Sequence, residues 1–266
     1  MKTLAQLGNL KGQLALITGG AGHIGRTIAS GLAELGCDLC LLDLEESKVD
    51  EVASELHFKW GTRVVALQVD LEIDAERSKV GPFIKAHFGR LDILINNAAF
   101  YPREKLEGWA APFEEQRLEV IRRCIEVNLT ACFHLVQTLS GLLRTAHGRI
   151  INIGSIYGVL GPDYSLYIDT EMGNPAAYAM SKGGLVQLSR WLATTLAPAV
   201  RVNCLCLGGV ARNQSEVFVD RYVARTPLGR MATEEDFMGA IAFLASDLSA
   251  YVTGQVLMID GGWSVW

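Results

Sequence analysis

Tyr178 and Lys182 stand four residues apart in Tyr178-Ala179-Met180-Ser181-Lys182, within a stretch of helical spacing. That separation puts both side chains on one helix face. A phenol exchanges protons poorly near neutrality, because its ordinary pKa is about 10. A lysine ammonium one turn away favours the phenolate. The pair is then suited to giving a proton to a carbonyl oxygen or taking one from an alcohol. Taken alone, the spacing is also that of ordinary helix surface, so its meaning depends on the rest of the chain.

A second chemical element lies near the start, in Thr18-Gly19-Gly20-Ala21-Gly22-His23-Ile24-Gly25. This string follows an apolar run and opens a helical pattern, the context in which glycines serve a dinucleotide. Gly19 permits the tight turn, Gly22 lets backbone approach a pyrophosphate, and Gly25 allows close packing of helix on strand. The helix N-terminus offers amide donors and a positive dipole to phosphates. Asp43 ends the next apolar run, near the spacing of about 20 residues expected of a carboxylate that binds adenosine ribose hydroxyls. A carboxylate there repels a 2′-phosphate, which favours NAD over NADP. Asp70 ends the third run, either to meet the adenine edge or to sit as an exposed loop acid.

The elements that must hold these groups alternate. Apolar runs at Leu14–Thr18, Asp38–Leu42, Arg63–Gln68, Leu91–Asn96, Arg149–Ile153, Arg201–Leu205 and Val256–Ile259 read as strands. They are continuous rather than alternating, as parallel strands covered on both faces require. Helical patterns at Ile24–Leu35, Glu46–Lys59, Ala75–Phe88, Phe113–Leu143, Ala176–Leu196 and Glu234–Ala245 separate them. The expected fold class is therefore α/β, a Rossmann-type doubly wound parallel sheet of about seven strands with helices on both faces. No linker or repeat interrupts residues 1–266, so a single domain is expected. Two turn-rich stretches, about 154–175 and 208–230, follow strands on the ligand edge and read as substrate-pocket walls or lids.

Composition narrows the function classes. The chain has 266 residues, 50% hydrophobic and 20% charged, with a net charge of -5. That balance provides no basic field for nucleic acid or an anionic membrane. No apolar run reaches the roughly 20 residues of a bilayer span, and residues 1–12 lack the order of a signal peptide. A soluble cytoplasmic protein acting on a small molecule is expected, with no nucleic-acid or membrane partner. Cys37 and Cys40 form a C-x-x-C, but they lie in or beside a buried strand and no second pair completes a metal site. Structural thiols and no metal are expected.

Assembled with Asn96-Asn97-Ala98-Ala99, Asn128 in Val127-Asn128-Leu129, Ser155, and Asp260-Gly261-Gly262, these motifs resemble the short-chain dehydrogenase/reductase family, from about Leu10 to the C-terminus. The resemblance implies roles. Tyr178 would be the catalytic acid/base, and Lys182 would lower its pKa and hold the nicotinamide ribose. Ser155 would hydrogen-bond the substrate oxygen. Asn128 would bend its helix and hold a water relaying protons from Lys182. Asn97 would lie along the adenosine ribose and Asp70-Leu71 beside adenine. Backbone near Ile24 would touch pyrophosphate and that near Val210 the carboxamide. The resemblance also implies a homodimer or homotetramer built on the two long helices and the C-terminus, with Trp263 and Trp266 candidates for burial in an interface.

The departures are specific. The glycine spacing is that of the family's extended members, with His23 where the short members carry glycine. Leu207 replaces a usual proline, Ala99 a usual glycine, and Arg212 a threonine that commonly binds the carboxamide. The expected activity is an NAD(H)-dependent oxidoreductase interconverting a secondary alcohol and a ketone. Acidic Asp163, Asp169 and Glu171, with Tyr157, Tyr164 and Tyr167, suit a sugar or polyol-like substrate. Alternatives are a sugar-nucleotide epimerase or dehydratase with retained NAD, a 3-oxoacyl-thioester reductase, and a non-catalytic nucleotide-sensing protein.

Overall fold

Seven strands pair in parallel, in the order β3-β2-β1-β4-β5-β6-β7. They are β1 (Leu14–Thr18), β2 (Asp38–Asp43), β3 (Val64–Gln68), β4 (Ile93–Asn96), β5 (Arg149–Ser155), β6 (Arg201–Leu207) and β7 (Val256–Ile259). The computed structural model describes residues 1–102 and 106–266. Strand order reverses beside β1, whose neighbours are β2 and β4. At such a reversal the crossovers leave on opposite faces, and the loops at the carboxyl ends part to form a crevice. The glycine loop after β1 and the Asn97 segment after β4 flank that crevice.

Side-chain alternation along each strand divides the core in two. Ala15, Ile17, Leu39, Leu41, Ile93 and Ile95 face helices α2 (His23–Glu34), α3 (Val49–Trp60) and α9 (Met238–Ala245). Leu14, Leu16, Leu42, Leu94, Ile150 and Val202 face α4 (Asp74–His87), α6 (Ala131–Thr145) and α7 (Ala176–Leu196). Every residue of β1, β4 and β5 is buried, while the edge strands β3 and β7 are half-exposed. Cys37 packs into the first half-core and Cys40 into the second, so the C-x-x-C thiols lie on opposite sheet faces. All six cysteines are free and buried. Burial pushes the Cys40 and Cys132 thiols up to about 12. Among the described residues, no group of three or more His, Cys, Asp or Glu could hold a metal ion, and no helix is long and apolar enough to cross a membrane.

Several expected boundaries move. The single helix expected over 113–143 is a 3₁₀ turn at Phe113–Glu115, then α5 (Leu118–Ile125), a π-helical turn at Glu126–Thr130, and α6. Apolar periodicity does not register one inserted residue, and the π turn exists because the buried Asn128 finds partners on other elements. The stretch 208–230 contains α8 (Glu216–Ala224), begun by Ser215, whose hydroxyl accepts from the Phe218 amide. A short helix α1 (Leu4–Gly8) has no apolar signature; a reciprocal Thr3/Gln6 capping box starts it. Strands β5 and β6 each run two residues past their expected ends, making Ser155 the last residue of β5.

Candidate active site

The glycine loop is a turn with no room for side chains at Gly19 and Gly25. Gly19 has φ +64°, the left-handed region. A Cβ on Gly25 would stand 2.0 Å from the Gly19 carbonyl oxygen and 2.9 Å from Asn97 Nδ2. Gly25 thus packs on the loop itself rather than on β1. Gly22 has φ -67°, and a Cβ there would meet the Gly19 carbonyl oxygen at 3.3 Å, a tight contact but far looser than that at Gly25. It is the N-cap of α2, with no side-chain hydrogen bond there, which leaves the first-turn amides open to an anion. His23 is exposed at the first helical position, and Ile24 is half-buried.

Two expected cofactor residues also build the loop. Asn97 Nδ2 donates to the carbonyls of Thr18 (2.9 Å) and Gly19 (3.1 Å). Thr18 Oγ1 accepts from the amides of Asn97 and Ala98, both at 3.0 Å. Asp43 ends β2; its Oδ2 accepts from the Ala21 amide (2.9 Å) and its Oδ1 from the Leu44 amide (2.8 Å). Asp70 Oδ1 closes a turn by accepting from the Glu72 amide at 2.8 Å. Leu71 is buried and its carbonyl accepts from Arg77.

Across the crevice, α7 begins after Pro175 and carries Tyr178 half-buried in its first turn. Lys182, one turn on, is 3% exposed. Its Nζ donates to the Ile153 carbonyl (2.7 Å) and lies 5.8 Å from the Tyr178 ring centroid. The ammonium is therefore fixed beside the phenol by a β5 backbone acceptor. Ser155 caps the 3₁₀ turn Ile156–Gly158, its Oγ accepting from the Tyr157 amide at 3.2 Å.

Asn128 sits in the π turn between α5 and α6, a distortion frequent at functional sites. Its side chain is a strut. Oδ1 accepts from the Phe100 amide (2.6 Å), and Nδ2 donates to Ser181 Oγ (2.9 Å). Ser181 Oγ in turn donates to the Tyr178 carbonyl at 2.9 Å. A buried chain thus runs from the segment after β4 to the backbone of Tyr178. Ser181 was missed as a site residue, although its place three after Tyr178, on the same helix face, could have marked it.

Ile24, Asn97, Ser155, Tyr178, Lys182 and Val210 line one cavity of about 680 Å³. Gly19, Gly22, His23, Gly25, Asp43, Asp70, Leu71 and Asn128 lie outside its lining. A second cavity of about 190 Å³ lies behind Gly208 and Gly209. The departures have local partners. Gln214 spans Val210 and Arg212, donating to the Val210 carbonyl (2.7 Å) and accepting from the Arg212 amide (2.6 Å). The Arg212 guanidinium pairs with Glu234 at 3.3 Å. Leu207 is buried at the end of β6.

The family model described as enoyl-(acyl carrier protein) reductase matches residues 19–264. The chain belongs to the short-chain dehydrogenase/reductase family. The 3-oxoacyl-(acyl-carrier-protein) reductase FabG of Escherichia coli is 32% identical over 260 residues, covering 96% of this chain and 98% of that one. A gluconate 5-dehydrogenase from Burkholderia cenocepacia, solved with NADP and tartrate, superposes with a TM-score of 0.87 at 28% identity, covering 99% and 100% of the two chains. A short-chain dehydrogenase from Leptospira borgpetersenii with bound NAD+ superposes at 0.84 with 34% identity, covering 99% and 96%.

In this short-chain dehydrogenase/reductase the two expected lids are joined. Ile156, Leu166, Phe218, Tyr222, Met231 and Trp263 form a small core of their own beneath them. Tyr222 Oη accepts from the Gly209 amide at 2.6 Å, and its ring stacks on Trp263. Trp263 is 3% exposed within its own chain and Trp266 is 73% exposed. Burial of Trp263 therefore needs no second subunit. None of the three acids expected to face substrate lines the cavity. Asp163 pairs with Arg225, and Asp169 lies 3.9 Å from Arg221. Glu171 is exposed. Asp163 was expected at the pocket because sequence does not disclose that Arg225, at the C-terminal cap of α8, stands opposite it.

The Asp163 latch has a defined pH dependence. The Ser165 hydroxyl and amide, together with Arg225, hold the Asp163 carboxyl below the usual carboxylate range. A depressed folded-state pKa contributes stability above the ordinary value of about 3.9 and loses it as pH falls through the lowered value. Hydrogen exchange across 163–172 is therefore expected to report an unchanged latch from about pH 5 to 8 and faster opening only in stronger acid. Opening near pH 6 would refute this account.

Proposed function

We propose that the chain is an NAD(H)-dependent oxidoreductase interconverting a secondary alcohol and a ketone. The observation that carries this reading is Ser155, Tyr178 and Lys182 converging on one cavity with Asn97 and Ile24. The residues present fit a dinucleotide. Gly25 and Gly19 leave a loop that a Cβ would fill, and the α2 N-terminus keeps free amide donors. Gly19, Gly22, His23, Ile24 and Gly25 would border the pyrophosphate, Asp43 and Asn97 the adenosine ribose, Asp70 and Leu71 the adenine, and Val210 the carboxamide. When bound, the dinucleotide supplies hydride acceptance or donation.

The chain's own residues handle the proton. Ser155 Oγ and Tyr178 Oη would share the substrate oxygen. In the oxidation direction, Tyr178 takes the alcohol O–H proton as the C–H bond loses its hydride; in reduction it returns that proton to the ketone oxygen. Lys182, held by the Ile153 carbonyl, keeps positive charge beside the phenol and would reach the nicotinamide ribose. Asn128 and Ser181 hold the Tyr178 backbone in register.

NAD is favoured because the Asp43 carboxylate stands at the end of β2 against the glycine loop, where a 2′-phosphate would meet like charge. Calorimetry is expected to show NAD binding at least about tenfold tighter than NADP, each 1.4 kcal/mol being a factor of ten. Asp43→Asn, which keeps an acceptor, should narrow that gap. Tighter NADP binding by the unaltered chain would overturn the choice.

A panel of polyols, sugars, simple ketones and 3-oxoacyl thioesters, followed at the reduced-nicotinamide absorbance, tests the activity. A 3-oxoacyl-thioester reductase is the second reading, supported by the likeness to FabG. Product formed without net cofactor consumption would favour a sugar-nucleotide epimerase or dehydratase. Cofactor binding without turnover would favour a nucleotide sensor. We further propose a homodimer or homotetramer acting in the cytoplasm. Half-exposed Phe133 and Trp191, with ring centroids 6.4 Å apart on α6 and α7, support the assembly. Six free thiols suit a reducing compartment.

A further inference from the structure

Resting on the alcohol–ketone reading above, we propose that the paired hydroxyls of Tyr157 and Tyr167 form a second substrate subsite that recognises a neutral hydroxyl group. The substrate class is then a diol or polyol, held by one oxygen at Ser155 and Tyr178 and by another at the tyrosine pair.

Tyr157 and Tyr167 line the same cavity as Ser155 and Tyr178. Their hydroxyl oxygens are 2.8 Å apart. Each phenol has one proton and two lone pairs. The mutual bond uses one proton, so the pair retains one O–H donor and spare acceptor capacity. The Asn174 amide lies beside both hydroxyls. Asn174 is 7% exposed, and its Oδ1 has no hydrogen-bond partner. Asn174 stands outside the cavity lining, so the tyrosine hydroxyls are what a ligand meets there. A ligand hydroxyl can accept the spare tyrosine proton and donate its own to a phenol lone pair. A hydrocarbon chain can do neither.

The cluster is held in place. The Tyr167 ring packs 5.5 Å from Phe218, and the Tyr157 ring meets the edge of buried Trp263 at 6.5 Å. Such support pre-organises a polar site, so little ordering is lost on binding. Burial also pushes both phenols above their ordinary pKa, which keeps them protonated near neutrality.

The surroundings favour a neutral ligand. Among the described cavity-lining residues the cations are Lys182 and Arg212, engaged with the Ile153 carbonyl and with Glu234. Of the acids in the 154–175 lid, Asp163 and Asp169 turn to Arg225 and Arg221, Glu171 is exposed, and none of the three lines the cavity. Ile156, Met172 and Phe218 supply an apolar wall for the carbon skeleton.

The test pairs each alcohol with its hydroxylated counterpart: 2-butanol with 2,3-butanediol, cyclohexanol with the cyclohexanediols, and 2-pentanol with pentitols. Binding by calorimetry and kcat/KM are both measured, in the unaltered chain and in Tyr157→Phe and Tyr167→Phe. Unchanged thermal stability and cofactor affinity verify that the variants fold. In at least one pair the hydroxylated member is expected to be favoured tenfold or more, and each variant is expected to reduce that ratio by about tenfold. A pair discriminated in binding without turnover supports the subsite and removes the alcohol–ketone reading. Turnover with no preference for a hydroxylated member, or a preference that both variants keep, overturns the subsite while leaving the reaction class intact. No preference in either binding or turnover also overturns it.

Discussion

Tyr178→Phe is expected to lower kcat by about 10²- to 10⁴-fold, the range of general acid–base catalysis, with dinucleotide affinity changed by no more than about twofold. Phenylalanine keeps the ring beside Lys182 and the backbone hydrogen bond to Ser181. What it removes is the hydroxyl that, in the proposed mechanism, exchanges a proton with the substrate oxygen. Hydride transfer would then have to leave an alkoxide or a protonated ketone without a partner. Steady-state kinetics with cofactor titration separates the two effects, since a loss confined to kcat marks an interaction made in the transition state. Turnover equal to the unaltered chain would remove Tyr178 from the mechanism. A loss of cofactor binding of similar size would make its role structural.

Gly25→Ala is expected to cost about 3 kcal/mol of stability or to weaken dinucleotide binding by about 100-fold, toward the upper end of overpacking effects. The added Cβ would lie 2.0 Å from the Gly19 carbonyl oxygen, well inside any contact distance. Neither side can yield cheaply. Gly19 is held at φ +64°, and its carbonyl accepts from Asn97 Nδ2 at 3.1 Å. Gly22→Ala is the control: with φ -67° and a nearest contact of 3.3 Å, it is expected to stay within about 1 kcal/mol. Denaturant midpoints and calorimetric affinities distinguish the cases. Equal behaviour of the two variants would refute the close approach of Gly25 to Gly19.

Much of the frame was legible from apolar runs. β1 and β7 fall at their expected residues, and the other strands differ by one or two residues at an end. The reason is physical: parallel strands covered on both faces must be apolar throughout, and that pattern needs only local sequence. The catalytic helix was equally legible, because the four-residue separation of Tyr178 and Lys182 is a helix property. The π turn at Glu126–Thr130 was not. It depends on Asn128 reaching Phe100 and Ser181, which lie on segments far away in the chain.

The lids show the same division more sharply. Turn-formers and aromatic residues marked 154–175 and 208–230 as pocket walls, and residues of both stretches line the cavity. Which side chains face substrate could not be read. Asp163 and Asp169 looked available until α8 and its C-terminal cap supplied Arg221 and Arg225, and Trp263 looked like an interface residue until Tyr222 stacked on it.

Residue order by itself determined the alternation of strand and helix, the glycine turn and the tyrosine–lysine pair, since each arises from neighbours a few positions apart. Tertiary structure alone decided that Asp43 and Asn97 brace the glycine loop, that Lys182 is anchored on Ile153, and that the tyrosines rather than the acids meet the cavity. Those outcomes depend on hydrogen bonds and ion pairs between distant segments, whose partners are chosen only when the sheet brings the segments together.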